Sequence, residues 1–119
     1  MLNLDGLEMC VTSTAENGVV GLETRLRLTQ RGSKVLGRYQ GGSVMRGCLV
    51  GAVDGDRLAF RYLQLETPHA FHAGSSVCEI QRRPDGRVRL IEHFVWRTRT
   101  GSGTNVFDET PEGSSRRSD

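Results

Sequence analysis

Short segments of alternating apolar and polar residues run along most of the chain, and turn-forming residues separate them. The clearest case is Gly21–Gln30, in which one face carries Leu22, Thr24, Leu26 and Leu28 and the opposite face is charged. A period of two residues is typical of a β-strand that buries one face. No segment shows a sustained period of 3.6 residues, so the pattern predicts an all-β protein.

The turn signals arrive at nearly even spacing. Asn17–Gly18, Asp54–Gly55 and Asp85–Gly86 supply the positive φ angles that tight hairpins need. Short consecutive hairpins predict a single antiparallel meander, and closing it into a barrel removes exposed strand edges. We predict about eight strands, at residues 7–14, 19–30, 34–40, 43–53, 57–66, 70–82, 87–99 and 104–109. The barrel domain would span residues 1–109, and the polar segment 110–119 would be a disordered tail.

Composition narrows the class of protein. A chain of 119 residues with 36% hydrophobic and 25% charged residues fits one globular domain. The net charge of +2 is too weak to indicate a nucleic-acid surface. The three cysteines form no Cys-x-x-Cys pair, so we expect buried free thiols in a reducing cytoplasm and neither a zinc site nor a disulfide framework. Without a signal pattern or a run of about 18 apolar residues, the sequence predicts a cytoplasmic protein with no membrane partner.

Glu92 interrupts the most apolar strand face of the chain. Read as a strand, residues 87–99 place it on one face with Val88, Leu90, Phe94 and Trp96. An inward carboxylate loses hydration, which raises its pKa and suits it to general acid or base chemistry near neutral pH. A purely structural reading pairs it with an arginine or a tyrosine, or lets it reach a wet barrel mouth. Arg46 is the natural partner if its strand face turns inward, because an unpaired buried charge is unfavourable.

Five aromatic side chains fall on the predicted inward faces: Tyr39, Phe60, Tyr62, Phe94 and Trp96. They would either line a small-molecule pocket or fill the barrel, since an eight-stranded barrel is just wide enough for one or the other. His72 would lie near the mouth, where it is a candidate for proton transfer. His69 and His72 point to opposite faces of a strand and have no carboxylate cluster nearby, so no metal and no cofactor is predicted.

Three blocks between Thr14 and Trp96 resemble a family of small bacterial proteins commonly labelled "N-acetylglutamate synthase". The blocks are TAENGVVGLETRLRLTQRG, VLGRYQGGSVMRGCLVGAVDGDRLAFRY and PDGRVRLIEHFVW. The resemblance implies a small β-barrel of the lipocalin and avidin group. It transfers fold better than reaction, because the chain has no Gly-rich loop followed by a helix to receive the pyrophosphate of acetyl-coenzyme A. The segment Tyr62–Ile80 departs from the family's pattern, which is consistent with a specialised ligand or reaction.

Three functional hypotheses follow from the sequence. The first is a barrel that binds a small hydrophobic or aromatic molecule, with Glu92 and Arg46 as the polar anchor and the four aromatic walls Phe60, Tyr62, Phe94 and Trp96. The second is a cofactor-independent cyclase, isomerase or lyase of secondary metabolism, in which Glu92, with Tyr39 or His72, transfers a proton. The third is a packed barrel that acts by association, for example as a homodimer. The sequence leaves open whether the protein is an enzyme.

Overall fold

The computed structural model describes residues 3–16 and 18–111, and these form a closed antiparallel barrel of eight strands. Each strand pairs with its neighbour in the chain, and the last strand pairs with the first, which closes the sheet. The predicted fold class is therefore confirmed. The strands are β1 (Glu8–Ser13), β2 (Arg25–Arg31), β3 (Lys34–Gly41), β4 (Val44–Asp54), β5 (Arg57–Glu66), β6 (Ala70–Arg82), β7 (Val88–Trp96) and β8 (Ser102–Glu109).

The main departure from the predicted boundaries is at β2, which begins at Arg25 rather than at residue 19. The residues before it form a long β1–β2 loop, in which Gly21 and Thr24 make a turn through the hydrogen bond from the Thr24 amide to the Gly21 carbonyl (2.9 Å). Because Leu22 lies in this loop, the strand alternation does not apply to it, and its side chain is 68% exposed. Asn17 of the predicted Asn-Gly turn lies outside the described residues.

The two ends of the barrel differ. At one end, called the base, the N-terminal segment folds under the strands and buries Leu4 and Leu7 completely. Backbone hydrogen bonds from Gly6 to the Leu28 carbonyl (3.0 Å) and from Leu28 to the Leu7 carbonyl (2.9 Å) hold it there. The other end, called the mouth, carries the β1–β2 loop and the loops 42–43, 67–69 and 97–101. The N-terminal segment thus covers the base of the barrel.

The seam between β1 and β8 carries a cluster of polar side chains on the outer wall. Asp108 of β8 accepts two hydrogen bonds from Arg89 of β7 (2.7 and 3.0 Å) and one from Thr12 of β1 (2.8 Å). Three strands are therefore joined through one carboxylate. The predicted tail begins at Thr110, but this residue is buried and its amide donates to the Glu8 carbonyl (2.9 Å). The predicted disorder of residues 112–119 lies outside the described residues.

Inward-facing glycines make room for the large rings of the core. Gly47 lies directly opposite Tyr39, and Gly74 lies directly opposite both Tyr62 and Trp96. A Cβ atom at Gly47 would collide with the Tyr39 ring, and one at Gly74 with the ring and hydroxyl of Tyr62. The Tyr39 and Tyr62 rings therefore lie over strand positions where any other residue would carry a side chain. Within the described residues, no helix is long and apolar enough to cross a membrane.

Candidate functional site

Glu92 lies in the middle of β7 and points into the barrel, as predicted from the alternation; it is 6% exposed. Its neighbours across the two adjacent strands are Cys78 of β6 and Asn105 of β8. The Ser76 hydroxyl donates to Glu92 Oε2 (2.6 Å), and the Asn105 amide donates to Glu92 Oε1 (3.0 Å). The Asn105 carbonyl oxygen accepts the backbone N–H of Ala15 (3.0 Å), which fixes the orientation of the amide. Both carboxyl oxygens are thus held by neutral groups.

Burial raises the pKa of the Glu92 carboxyl above its ordinary value of 4.5. The hydrogen bonds from Ser76 and Asn105 act in the opposite direction, as does the weaker field of His93, but they do not offset the loss of hydration. The interior therefore contains a carboxylic acid that keeps its proton at a higher pH than an exposed glutamate. A neutral carboxyl can both donate and accept a hydrogen bond, which a carboxylate cannot.

Arg46 does not join this group, and its predicted place beside Glu92 is wrong. Its side chain is exposed on the outer wall of β4. The pairing of β4 with β5 shifts register between Val44 and Arg46, and this β-bulge interrupts the alternation of faces after Val44. Ser76 and Asn105 take the role that was assigned to a cation. A serine and an asparagine on neighbouring strands carry no pattern that marks them as partners of Glu92, so sequence reasoning missed them.

The five predicted aromatic side chains do come together inside the barrel, and all are at least 91% buried. Trp96 makes edge-to-face contacts with Tyr62 (5.5 Å between ring centroids) and Phe94 (5.8 Å), and Phe60 contacts Tyr62 in the same way (6.1 Å). Between these rings and Glu92 lies a cavity of about 40 Å³, and residues 18–20 of the β1–β2 loop line it on the mouth side. A water molecule needs at least about 10–15 Å³ of such space, so the cavity is large enough for a few waters.

A second polar chain, which the sequence analysis did not identify, runs from the interior to the mouth. The Tyr39 hydroxyl donates to Gln64 Oε1 (2.6 Å), and the Gln64 amide donates to Glu66 Oε2 (2.8 Å). Arg99, in the β7–β8 loop, donates to the same Glu66 oxygen (2.6 Å) and lies over the Trp96 ring, 4.4 Å from its centroid. The sequence contains one signal for this polar chain. Every second residue of β5 points inward, and Tyr62, Gln64 and Glu66 occupy such positions.

The pKa values of Glu92 and Glu66 are shifted in opposite directions. Burial alone would raise the pKa of Glu66, but the hydrogen bonds from Arg99 and Gln64 together with the Arg99 charge hold it below its ordinary value. Glu66 therefore keeps its negative charge to a lower pH than an exposed glutamate, whereas Glu92 keeps its proton to a higher pH. Burial, and next the field of Glu92, raise the pKa values of Tyr39 and Tyr62, so both phenols stay protonated at neutral pH. Tyr39 can thus serve as a hydrogen-bond donor or acceptor but is a poor general base.

His72 lies half-buried on the inward face of β6 at the mouth, as its assignment to the mouth required. Its ring is 6.1 Å from Trp96, and Nδ1 is 2.8 Å from the Thr98 hydroxyl. It is therefore part of the mouth rather than of the group around Glu92, and its proposed part in proton transfer with Glu92 stays a prediction.

The cysteines are all free, but they do not share one environment. Cys78 is buried beside Glu92, Cys10 is intermediate and Cys48 is exposed, so the expectation of buried thiols holds for Cys78 alone. Burial raises the pKa of Cys78, which makes its thiolate scarce at neutral pH. Across residues 3–16 and 18–111, no three His, Cys, Asp or Glu side chains are grouped so as to hold a metal ion.

Residues 2–110 match a family model described as "Avidin-like protein". The match agrees with the avidin-like part of the resemblance drawn from the sequence, and it gives no support to the N-acetylglutamate synthase label. No curated protein and no solved structure matches the chain.

Proposed function

We propose that this chain, which belongs to the avidin-like protein family, binds a small molecule with an apolar or aromatic body inside its barrel. The family typically binds small molecules, and avidins themselves bind biotin. The chain supplies an aromatic wall and polar groups at two depths: the Glu92 carboxyl, whose pKa burial raises, lies inside the barrel, and the Glu66–Arg99 ion pair lies at the mouth.

The observation that carries the proposal is the buried Glu92 carboxyl. Moving a carboxyl group out of water is unfavourable, and hydrogen bonds to Ser76 and Asn105 only partly compensate. A barrel selected for stability alone would favour an apolar side chain at the centre of this strand face. A carboxyl held by two oriented neighbours on the wall of a cavity is instead the arrangement that fixes the polar group of a ligand.

The ligand must enlarge the interior when it binds. Drug-sized ligands occupy pockets of about 300–1,000 Å³, whereas the cavity beside Glu92 is about 40 Å³. The segment 18–20 is the part that we expect to move, because Val19 and Val20 are only partly buried and belong to a loop rather than to a strand. Its outward movement would open the mouth above Phe94 and Trp96.

The test combines native mass spectrometry of the purified protein with a thermal-shift screen that includes biotin and a set of aromatic acids, lactams and amines. A ligand present at 100 times its Kd stabilises the fold by about 2.7 kcal/mol, which gives a clear rise in Tm. The rise should shrink in Glu92→Gln and persist in Glu79→Gln, a matched change at a residue of the outer wall. If no compound raises Tm and no bound mass is found, the packed-barrel alternative is favoured, in agreement with the small size of the cavity.

A second candidate function is proton-transfer catalysis in the same interior, by a cofactor-independent cyclase, isomerase or lyase. The observation in its favour is the raised pKa of Glu92, because catalytic acids and bases work best when their pKa lies near the working pH. For a compound found in the screen, retention of affinity in Glu92→Gln together with loss of its conversion would identify an enzyme. Loss of affinity alone would identify a binding protein.

We also propose that the protein self-associates, as avidin-like proteins often do. Leu36 of β3 and Val50 of β4 are directly opposite each other on the outer wall and are 55% and 61% exposed. Such a pair of apolar side chains would be covered in a homodimer. Analytical ultracentrifugation of the wild type and of Val50→Glu tests this: a dimer that becomes a monomer in the variant supports it, and a wild-type monomer at all concentrations contradicts it.

A further inference from the structure

A groove of about 620 Å³ crosses the outer wall of the barrel, from Glu8 at the start of β1 to the start of β6. It is separate from the interior cavity and lies on the opposite side of the sheet. The side chains that give it its character are Arg25, Arg27, Arg38, Arg46, Leu63 and Phe71.

The groove concentrates positive charge. It is lined by four arginines and by one acidic residue, Glu8, whereas the net charge of the whole chain is only +2. Glu8 pairs with Arg27 (2.8 Å), and the Arg25 guanidinium donates to the Leu22 carbonyl (3.1 Å). In the part of the chain that the structure describes, Arg38 and Arg46 have no ion pair and no side-chain hydrogen bond.

The arrangement of these charges is unfavourable for the isolated barrel. Arg27 and Arg38 occupy directly opposite positions on β2 and β3. Like charges at opposite positions of an antiparallel pair destabilise a sheet. Glu8 pairs with Arg27 but not with Arg38, so the charge of Arg38 is left for a further acidic group to neutralise.

The groove also has an apolar end. Phe71 is 65% exposed, and it lies directly opposite Leu65, with the 48%-exposed Leu63 at the diagonal position. Diagonal neighbours of this kind are close enough for an aromatic ring to contact. An occupant of the groove would thus meet arginines at one side and an exposed phenylalanine and leucine at the other.

We infer that this groove binds an extended acidic peptide segment of a partner protein, with one apolar side chain seated against Leu63 and Phe71. Arg25 and Arg27 are two residues apart on one strand face, a separation of about 7 Å, and the three strands that carry the four arginines together span about 10 Å. One carboxylate cannot reach all of them, whereas acidic residues at alternate positions of an extended peptide repeat at the same spacing of about 7 Å.

A second copy of the chain is a poor occupant of the groove. In a two-fold symmetric dimer the same surface meets itself, so the arginines of one copy would face those of the other. The charges therefore favour an acidic peptide over a second copy as the occupant, and the inference does not rest on the nature of the interior ligand.

The test uses the full chain and a fluorescein-labelled peptide, Glu-Ser-Glu-Ser-Glu-Ser-Leu, whose glutamate and leucine side chains share one face when the peptide is extended, with fluorescence anisotropy at low ionic strength. A peptide with lysine in place of every glutamate is the first control. The double variant Arg38→Glu/Arg46→Glu should weaken binding about tenfold or more, since each reversal removes an attraction and adds a repulsion. The matched variant Lys34→Glu/Arg61→Glu changes the net charge equally at exposed positions outside the groove and should change Kd less than about twofold.

A third variant tests the apolar end: Phe71→Ser should weaken binding of the leucine-containing peptide and leave a peptide with serine in that place unaffected. An unchanged Tm in thermal melts shows that each variant is folded. Equal loss of binding in the groove variant and in the matched variant would reduce the effect to net charge and overturn the inference. Binding of phosphatidylserine vesicles or duplex DNA without binding of the peptide would overturn it in favour of a membrane or a nucleic acid.

Discussion

Glu92 and Glu66 show how neighbouring side chains decide the charge of a buried carboxyl. Glu92 receives hydrogen bonds only from a hydroxyl and an amide, so burial dominates and its pKa is raised. Glu66 is less enclosed and receives a guanidinium hydrogen bond from Arg99, so its pKa is lowered. Pairs of titratable groups driven apart in this way are typical of sites that must supply both a neutral acid and an anion.

The raised pKa of Glu92 predicts a specific pH dependence of stability. The fold favours the protonated carboxyl, so its contribution is fully present below the ordinary pKa of 4.5 and is lost as the pH rises through the folded-state pKa. Glu92→Gln keeps a neutral group of the same shape. Its free energy of unfolding, relative to wild type, should therefore increase between pH 5 and pH 9, by about 1.4 kcal/mol for each pKa unit by which Glu92 is raised.

Urea denaturation of both proteins at several pH values measures this difference. Glu23→Gln, at an exposed position, controls for the change in net charge. A difference between Glu92→Gln and wild type that stays constant with pH would show that Glu92 is ionised in the folded protein throughout the range.

Substitution of Gly47 tests whether the absence of a side chain at this position makes room for the Tyr39 ring. Gly47→Ala should destabilise the protein by about 1–3 kcal/mol, because the new methyl group overlaps the Tyr39 ring. In a Tyr39→Leu background most of this cost should vanish, which a double-mutant cycle by chemical denaturation measures. Gly21→Ala is the matched control, since nothing lies within 4 Å of its added Cβ, and its effect should stay within about 0.5 kcal/mol. Equal costs at both glycines would contradict the steric explanation.

For single residues, the sequence predicts which side chains point inward, because that depends on strand alternation. It does not predict which side chains become hydrogen-bond partners in the folded chain. The inward positions of Glu92, Tyr39 and Trp96 followed from a period of two residues. Arg46 was misplaced because a β-bulge, which has no clear sequence signature here, precedes it. The link between Gln64 and Arg99 depends on how a loop returns over the mouth, and spacing along the chain does not encode that.

At the scale of the strands, hairpin geometry makes the sequence unusually informative. Each turn between β2 and β5 is short and contains a glycine with positive φ, so the strand ends are tied to recognisable residues such as Gly32 and Gly55. The β1–β2 connection has no such constraint. Val19 and Val20 pack partly against the core without pairing as a strand, so their apolar character was read as part of β2.

Asp108 should stabilise the seam between β1 and β8, and its contribution to the free energy of unfolding should depend on pH. Asp108→Asn removes charge-assisted hydrogen bonds from Arg89 and weakens the one from Thr12, which should cost about 2 kcal/mol at pH 7. Burial alone would raise the pKa of Asp108, but these hydrogen bonds lower it. Its contribution is therefore present above the ordinary pKa of 3.8 and is lost as the pH falls through the lowered value.

The difference in free energy of unfolding between wild type and Asp108→Asn should consequently become smaller as the pH falls from 5 to 2. Urea denaturation measures this difference. Asp85→Asn, at an exposed hairpin position, should cost less than about 1 kcal/mol. A cost at Asp108 that is independent of pH would show that the carboxylate charge does not hold the seam.

At the scale of the whole molecule, the two ends of the barrel differ in the side chains that they carry. The base is sealed by the fully buried Leu4 and Leu7, whereas the mouth carries the charged side chains of Glu66 and Arg99 and a loop without strand pairing. Substitutions at the base should therefore affect mainly stability. Those at the mouth should affect mainly what enters the interior.

A closed sheet also predicts a single cooperative unfolding transition. Every strand pairs on both sides, so no strand can leave without breaking two ladders. Trp96, the one tryptophan of the chain, reports on the mouth by fluorescence, and far-ultraviolet circular dichroism reports on the whole sheet. The two urea transitions should coincide, and refolding should take milliseconds to seconds, as for other sheets with long-range pairing. Earlier loss of the fluorescence signal would instead show that the mouth unfolds separately.

The pairing of rings with glycines sets the order in which such a barrel can change over evolution. A side chain at Gly47 or Gly74 destabilises the fold while Tyr39 or Tyr62 lies across it. The less costly order is for the ring to shrink first, and that step leaves open space beside Glu92. Related barrels with a wider interior would then arise through intermediates that already hold a larger guest, with the second substitution reshaping the wall around it. The two positions of each pair should accordingly vary together among relatives, with the aromatic position changing first.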